Sequence, residues 1–172
     1  MVKQYLLDTN VLSDIVRNMP RVNDRFLNCR RESLVVSVVT LKEIEYGRWW
    51  RPEGARRFNV AMDILLAEIE PIPFGRVEAL NTGRLRATLA RAGTPIGPFD
   101  VMIAGTALTH GLTLVTANTR ELSQVPGLAL EDWRAPCEVR ERSLAHVYWA
   151  ASGGLRVRGN AAFQKAAEIG AR

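Results

Sequence analysis

Four segments of this chain carry acids, or an acid and its amide analogue, just beyond an apolar run or a turn. Tyr5-Leu6-Leu7 stops on Asp8. Leu34-Val35-Val36-Ser37-Val38 is followed by Glu43, Gly97-Pro98 precedes Asp100, and Leu112-Thr113-Leu114-Val115-Thr116 leads to Asn118 and Glu121. A charged acid at the end of a buried strand cannot enter the core, so it faces a crevice, a cation or water. In open parallel sheets the ligand crevice lies outside the carboxyl ends of the strands. If these strands are parallel, all four segments deliver their polar groups to one edge. Carboxylates crowded there repel one another, and a divalent cation relieves the repulsion. Mg²⁺ and Mn²⁺ favour hard oxygen ligands. Such an ion polarises a phosphodiester and acidifies a bound water. The chemistry expected is metal-assisted phosphodiester hydrolysis.

The elements between the acids alternate as such a sheet requires. The first strand runs from Gln4 to Asp8. The next helix has Val11, Leu12, Ile15 and Val16 on one face, Thr9 or Asn10 as cap, and Pro20 as its breaker. Arg21 to Arg31 reads as a second helix. Residues 34–38 are β-branched and apolar throughout, as in a central parallel strand. Thr40 and Glu43 match a capping box opening a helix to Trp50. Ala55 to Glu68 is amphipathic. Glu70 to Phe74 carries Pro71 and Pro73 and suits an edge strand or extended connection. Helices are expected over Arg76–Ala92 and Asp100–His110, with Pro98 in the first turn of the latter. Leu112–Thr116 and Leu128–Leu130 complete the strands. Alternating strands and helices argue for an α/β fold with helices on both faces of a parallel sheet.

The bulk properties fit one core-forming domain plus a tail. The chain has 172 residues and a net charge of +5, with 17 basic against 15 acidic residues up to Arg134 and 6 against 3 beyond it. That balance permits nucleic-acid binding without demanding it. Cys29 and Cys137 match no metal-binding spacing, which favours a reducing compartment. No apolar run approaches the ~20 residues of a membrane span. Met1-Val2-Lys3-Gln4 leads straight into the first strand, so no signal peptide is expected. A cytoplasmic location follows.

Leu6-Leu7-Asp8-Thr9-Asn10, Ser37 to Glu43, Gly97 to Gly105 and Val115 to Glu121 together resemble the successive motifs of PIN-domain ribonucleases. More narrowly, the chain resembles the VapC toxins of bacterial VapBC toxin–antitoxin pairs, from about Gln4 to Trp133. The resemblance implies a PIN-like fold over residues 1–134, with a central parallel sheet of about five strands, and a C-terminal extension over residues 135–172. It implies a toxin-type endoribonuclease dependent on Mg²⁺ or Mn²⁺, acting on RNA, with tRNA expected. A homodimer and inhibition by a cognate VapB-type antitoxin are also implied. It assigns Asp8, Glu43, Asp100 and Glu121 to catalysis, with Asp8 and Asp100 as metal ligands. Thr9, Asn10, Thr116 and Asn118 are the polar supports. The chain departs from the family pattern at Asn118, where Asp is frequent.

Two other classes compete. A haloacid-dehalogenase-like phosphatase would use Asp8 as nucleophile, but such enzymes usually carry another Asp two residues later, where this chain has Asn10. A non-catalytic module would use the acidic pocket to capture a basic partner segment. His110, at a helix end, is expected to complement the helix dipole. Ser37, within a buried strand, is no nucleophile, and Gly105 is a close-packing position. Trp49 and Trp50, at a helix end before Pro52, are expected in an interface or the core. Arg156 and Arg158 suit a solvated surface.

Overall fold

A computed structural model of the chain describes residues 4–50 and 55–136. Cys137, Arg156, Arg158 and the extension from residue 137 onward lie outside the described residues. Strand β1 (Tyr5–Leu7) leads to helices α1 (Thr9–Val16) and α2 (Pro20–Asn28), then to β2 (Leu34–Ser37). Helices α3 (Val38–Trp50) and α4 (Arg56–Leu66) precede β3 (Glu70–Ile72). Helices α5 (Arg76–Arg91) and α6 (Pro98–His110) precede β4 (Thr113–Val115), α7 (Thr119–Leu122) and β5 (Ala129–Glu131).

The five strands form one sheet in the order β3-β2-β1-β4-β5, with every pair parallel. The order puts β1 in the middle. After β1 the chain moves outward through β2 and β3, then returns to place β4 on the other side of β1. The boundary between β1 and β4 is therefore a topological switch point, where the connections diverge and leave a crevice. Asp8 follows β1 and Thr116 follows β4, so both stand at that boundary.

Strand alternation divides the core into two layers. Leu7 and Val115 join Val11, Leu12, Val22, Met62 and Leu65 on one face; Leu6 and Leu114 join Leu85, Leu89, Val101 and Ala104 on the other. Trp133, just past β5, is 1% exposed, packs edge-on to Tyr5 at 5.6 Å, and donates its indole N–H to Glu131. Gly105 is a packing glycine, as expected. A Cβ there would lie 2.1 Å from the Thr82 hydroxyl, so α5 and α6 cross at a spacing that only hydrogen permits.

Three local expectations need correction. Pro20 does not break α1, which ends at Val16; it occupies the first turn of α2, where its missing N–H costs nothing. Asn18, at φ 56°, makes the bend between the two helices. The cap of α1 is Asp8 itself, extended at φ −83° and ψ 161°, rather than Thr9 or Asn10. Helix α3 begins at Val38, so Thr40 is not its cap. Ser37 accepts from the Thr40 N–H at 2.9 Å, and Thr40 is buried inside the first turn. This removes the capping-box role from Glu43. His110 lies in the last turn of α6 and also meets Glu78 at 2.9 Å. Gly111 closes that helix in the left-handed conformation, at φ 64°.

Candidate active site

Asp8 is buried, yet among the described residues every bond to its carboxylate comes from a neutral donor. The Thr9 backbone N–H reaches Oδ1 at 2.7 Å, while the Asn10 amide and the Thr116 hydroxyl reach Oδ2 at 2.6 and 2.7 Å. A carboxylate has about four acceptor positions. Oδ2 uses two and Oδ1 one, which leaves a lone pair on Oδ1. Asn10 also donates to Thr116 at 3.1 Å and accepts from the Ala117 N–H at 2.9 Å. The Asn118 N–H donates to the Thr116 hydroxyl at 3.0 Å. One polar web therefore ties the end of β1 to the end of β4.

Glu43 comes from the second turn of α3. Its Oε2 accepts from the Thr9 hydroxyl at 2.6 Å. Thr9 thus bridges two acids, its N–H on Asp8 and its O–H on Glu43. Asp100 comes from the first turn of α6. Burial raises its pKa above the usual carboxylate value, and the charges of Asp8, Glu121 and Glu43 add to the rise. A hydrogen bond with Asn118 opposes it. Three acids from three other segments therefore act on Asp100 at one edge of the sheet. Glu121 is exposed on α7 and contributes through its field.

Gly97 makes room for this arrangement. A Cβ on Gly97 would sit 2.5 Å from Asp100 Oδ2, so the carboxylate occupies the space that any other residue would fill. In the sequence Gly97 stands only as the head of the Gly97–Gly105 motif. Its signal was the three-residue spacing to Asp100 at the start of a helix. The crevice has a volume of about 770 Å³. Asp8, Glu43 and Asp100 line it, and so do Arg17, Lys42 and Arg134, which sequence reasoning did not place there. Lys42 is next to Glu43 in sequence, and that adjacency was its only signal. Arg134 reaches the site from beyond β5 and had none.

The PIN-domain family profile matches residues 5–128. The tRNA(fMet)-specific endonuclease VapC of Shigella flexneri is 40% identical over 131 residues, covering 76% of this chain and 98% of the relative. The chain belongs to the PIN-domain family, among the VapC ribonucleases.

Structures agree with this placement. The DNA-bound VapBC complex of Salmonella typhimurium superposes with a TM-score of 0.68 at 38% identity, covering 76% of this chain and 98% of that one. VapBC2 from Rickettsia felis, bound to a promoter DNA fragment, gives 0.67 at 30%, covering 75% and 98%. For a PIN domain, the phosphatase alternative fails on family grounds. It also fails on local geometry, because Asn10 is held by Asp8, Thr116 and Ala117 and has no carboxyl proton to give. Among the described residues, no helix is long and apolar enough to cross a membrane.

Proposed function

We propose that this VapC-family chain is a toxin-type endoribonuclease that hydrolyses RNA phosphodiester bonds with Mg²⁺ or Mn²⁺. The observation that carries the reading is the convergence of Asp8, Glu43 and Asp100 on one crevice, with the charge of Glu121 acting on Asp100, in a chain 40% identical to a tRNA(fMet)-specific endonuclease. tRNA is the proposed substrate, the cytoplasm the proposed location, and a VapB-type antitoxin the proposed inhibitor. The solved relatives named as VapBC complexes support that partner. Val77 and Leu80, exposed one turn apart on α5, supply an apolar face for the proposed homodimer.

The donor set fits a hard divalent cation. All the crevice acids are oxygen donors, one Asp8 Oδ1 lone pair is left by the bonds to it, and burial and then the neighbouring acid charges raise the pKa of Asp100. No three Asp, Glu, His or Cys side chains among the described residues close tightly enough to enclose an ion alone. Mg²⁺ is typically held by a few carboxylates while it keeps several waters. Asp8 and Asp100 would hold it, with Glu43 and Glu121 beside them. Bound there, the ion supplies positive charge against the phosphate and lowers the pKa of water. Thr9, Asn10 and Thr116 fix the Asp8 carboxylate, and Asn118 fixes Asp100.

The test is cleavage of a tRNA pool by purified, antitoxin-free protein with Mg²⁺ or Mn²⁺, beside Asp100→Asn and EDTA controls. Discrete fragments from the unmodified protein alone are expected. Fragments that persist at full rate in Asp100→Asn would overturn the assignment. Tight antitoxin binding with no cleavage under either metal would leave only a binding module.

A further inference from the structure

The outer face of α3 carries aromatic rings that the core does not use. Tyr46, Trp49 and Trp50 are 60%, 79% and 68% exposed. Of the interface and the core expected for the tryptophans, this exposure removes the core. Four residues separate Lys42 from Tyr46 and Tyr46 from Trp50, so all three share one helix face. Tyr46 and Trp50 stack with centroids 5.9 Å apart and planes at 22°. The Trp49 indole is held by a 2.9 Å bond to Glu45. From Lys42 to Trp50 the ridge runs about 12 Å at 1.5 Å per residue.

This ridge runs into the acid crevice. Lys42, Tyr46 and Phe99 line the crevice wall, and Phe99 precedes Asp100 in the chain. The Lys42 ammonium lies 3.2 Å from the Phe99 ring centroid and 5.9 Å from that of Tyr46. A cation is thus fixed against a ring face where the acids begin. The crevice carboxylates repel phosphates, so a substrate backbone needs positive charge beside them, and Lys42 supplies it where the ridge meets the crevice.

We infer that the ridge is a platform for a single-stranded stretch of the RNA substrate beside the scissile bond. Lys42 takes a phosphate at the crevice mouth. The Tyr46–Trp50 stack takes an unpaired base on its open face, since aromatic rings stack on bases whatever their sequence. RNA is the occupant because the ridge is continuous with the crevice and carries its cation at the junction. The inference rests on the nuclease reading for its substrate and assigns that substrate's path.

The experiment uses the full chain and a fluorescein-labelled single-stranded oligoribonucleotide. Its affinity is measured for Asp100→Asn protein with and without the Tyr46→Ala/Trp50→Ala pair, and KM and kcat for tRNA cleavage are measured with the pair alone. Sedimentation follows the oligomeric state. The pair is expected to weaken binding about 10-fold or more, raising KM while kcat at saturation holds. Trp50→Phe is expected to restore most of the affinity, and Lys42→Ala to reduce the salt slope of binding by about one. Unchanged affinity and KM in a folded pair variant would overturn the inference. So would a pair variant that loses self-association or antitoxin binding while RNA affinity stays constant, since the face would then belong to a protein. Ridge-dependent RNA binding by a chain that cleaves nothing would break the nuclease reading and leave the platform standing. Cleavage with ridge-independent binding would do the reverse.

Discussion

The crevice at the end of β1 and the flank of α1 each hold a buried aspartate, six residues apart, under opposite conditions. Asp8 is 6% exposed and Asp14 4%. Asp14 meets the Arg134 guanidinium in a two-pronged pair, Nε to Oδ2 at 2.5 Å and Nη2 to Oδ1 at 3.0 Å. The Arg134 and Ala135 carbonyls accept from Arg21 and Arg25, so this flank clasps the chain after β5. Among the described residues Asp8 has only neutral donors, and it acts on Asp100, another acid, across the crevice. Burial alone therefore does not mark a reactive acid. The distinguishing feature is a charge given hydrogen bonds but no counter-charge.

The largest effect expected from this contrast is on cleavage. Asp100→Asn should lower the rate on a tRNA pool at least ~100-fold, since it removes an acid meant for the cation. Its unfolding midpoint at neutral pH without divalent ion should hold or rise, because a repelling charge is gone. A midpoint that falls as far as in an Asp14 variant would erase the distinction between the two regions. Gly97→Ala should follow, with a cleavage loss of about 10- to 100-fold in a folded protein, as the new Cβ displaces the Asp100 carboxylate. Full activity in that variant would show that the carboxylate tolerates another position.

Asp14→Ala should act chiefly on stability. A loss of about 2 kcal/mol in urea unfolding is expected, below the 3–5 kcal/mol of a fully buried broken pair, because the freed Arg134 side chain is 46% exposed.

The smallest effects are in pH dependence, and they have opposite signs. The folded pKa of Asp100 lies above the ordinary value of about 3.9, so the folded state binds its proton more tightly. Its contribution to stability is therefore lost as pH rises from that value through the raised one. Glu78 is held below the usual glutamate value first by its own backbone N–H, then by His110 and the Gly75 N–H, against a desolvation that pushes it up. Its contribution is present above the ordinary value of about 4.3 and is lost as pH falls through the lowered one. Unfolding midpoints of Asp100→Asn and Glu78→Gln across acid pH should part from the unmodified chain in these opposite directions.

Much of the site was legible because strand endings are local signals. Asp8 and Thr116 terminate apolar runs, and the acids of α3 and α6 follow at fixed short distances. The caps were less legible. Ser37 and Thr40, or Asp8, Thr9 and Asn10, are all competent capping types, and the choice depends on where the sheet pairing releases the backbone. The Asp14–Arg134 clasp spans 120 residues and leaves no periodic trace. The exposure of Trp49 and Trp50 was illegible for a similar reason, since a ring at a helix end has no pattern telling core from surface.

The web around Asp8 has a consequence for how the chain is made. The Thr116 hydroxyl and the Ala117 N–H bond to residues 108 and 107 positions earlier. A polypeptide emerging from the ribosome displays Asp8, Glu43 and Asp100 well before β4 exists to align the first of them. A nascent or prematurely ended chain short of residue 116 carries three of the acids and no assembled crevice. The order of synthesis therefore delivers the acids first and the Thr116 and Ala117 groups that align Asp8 last.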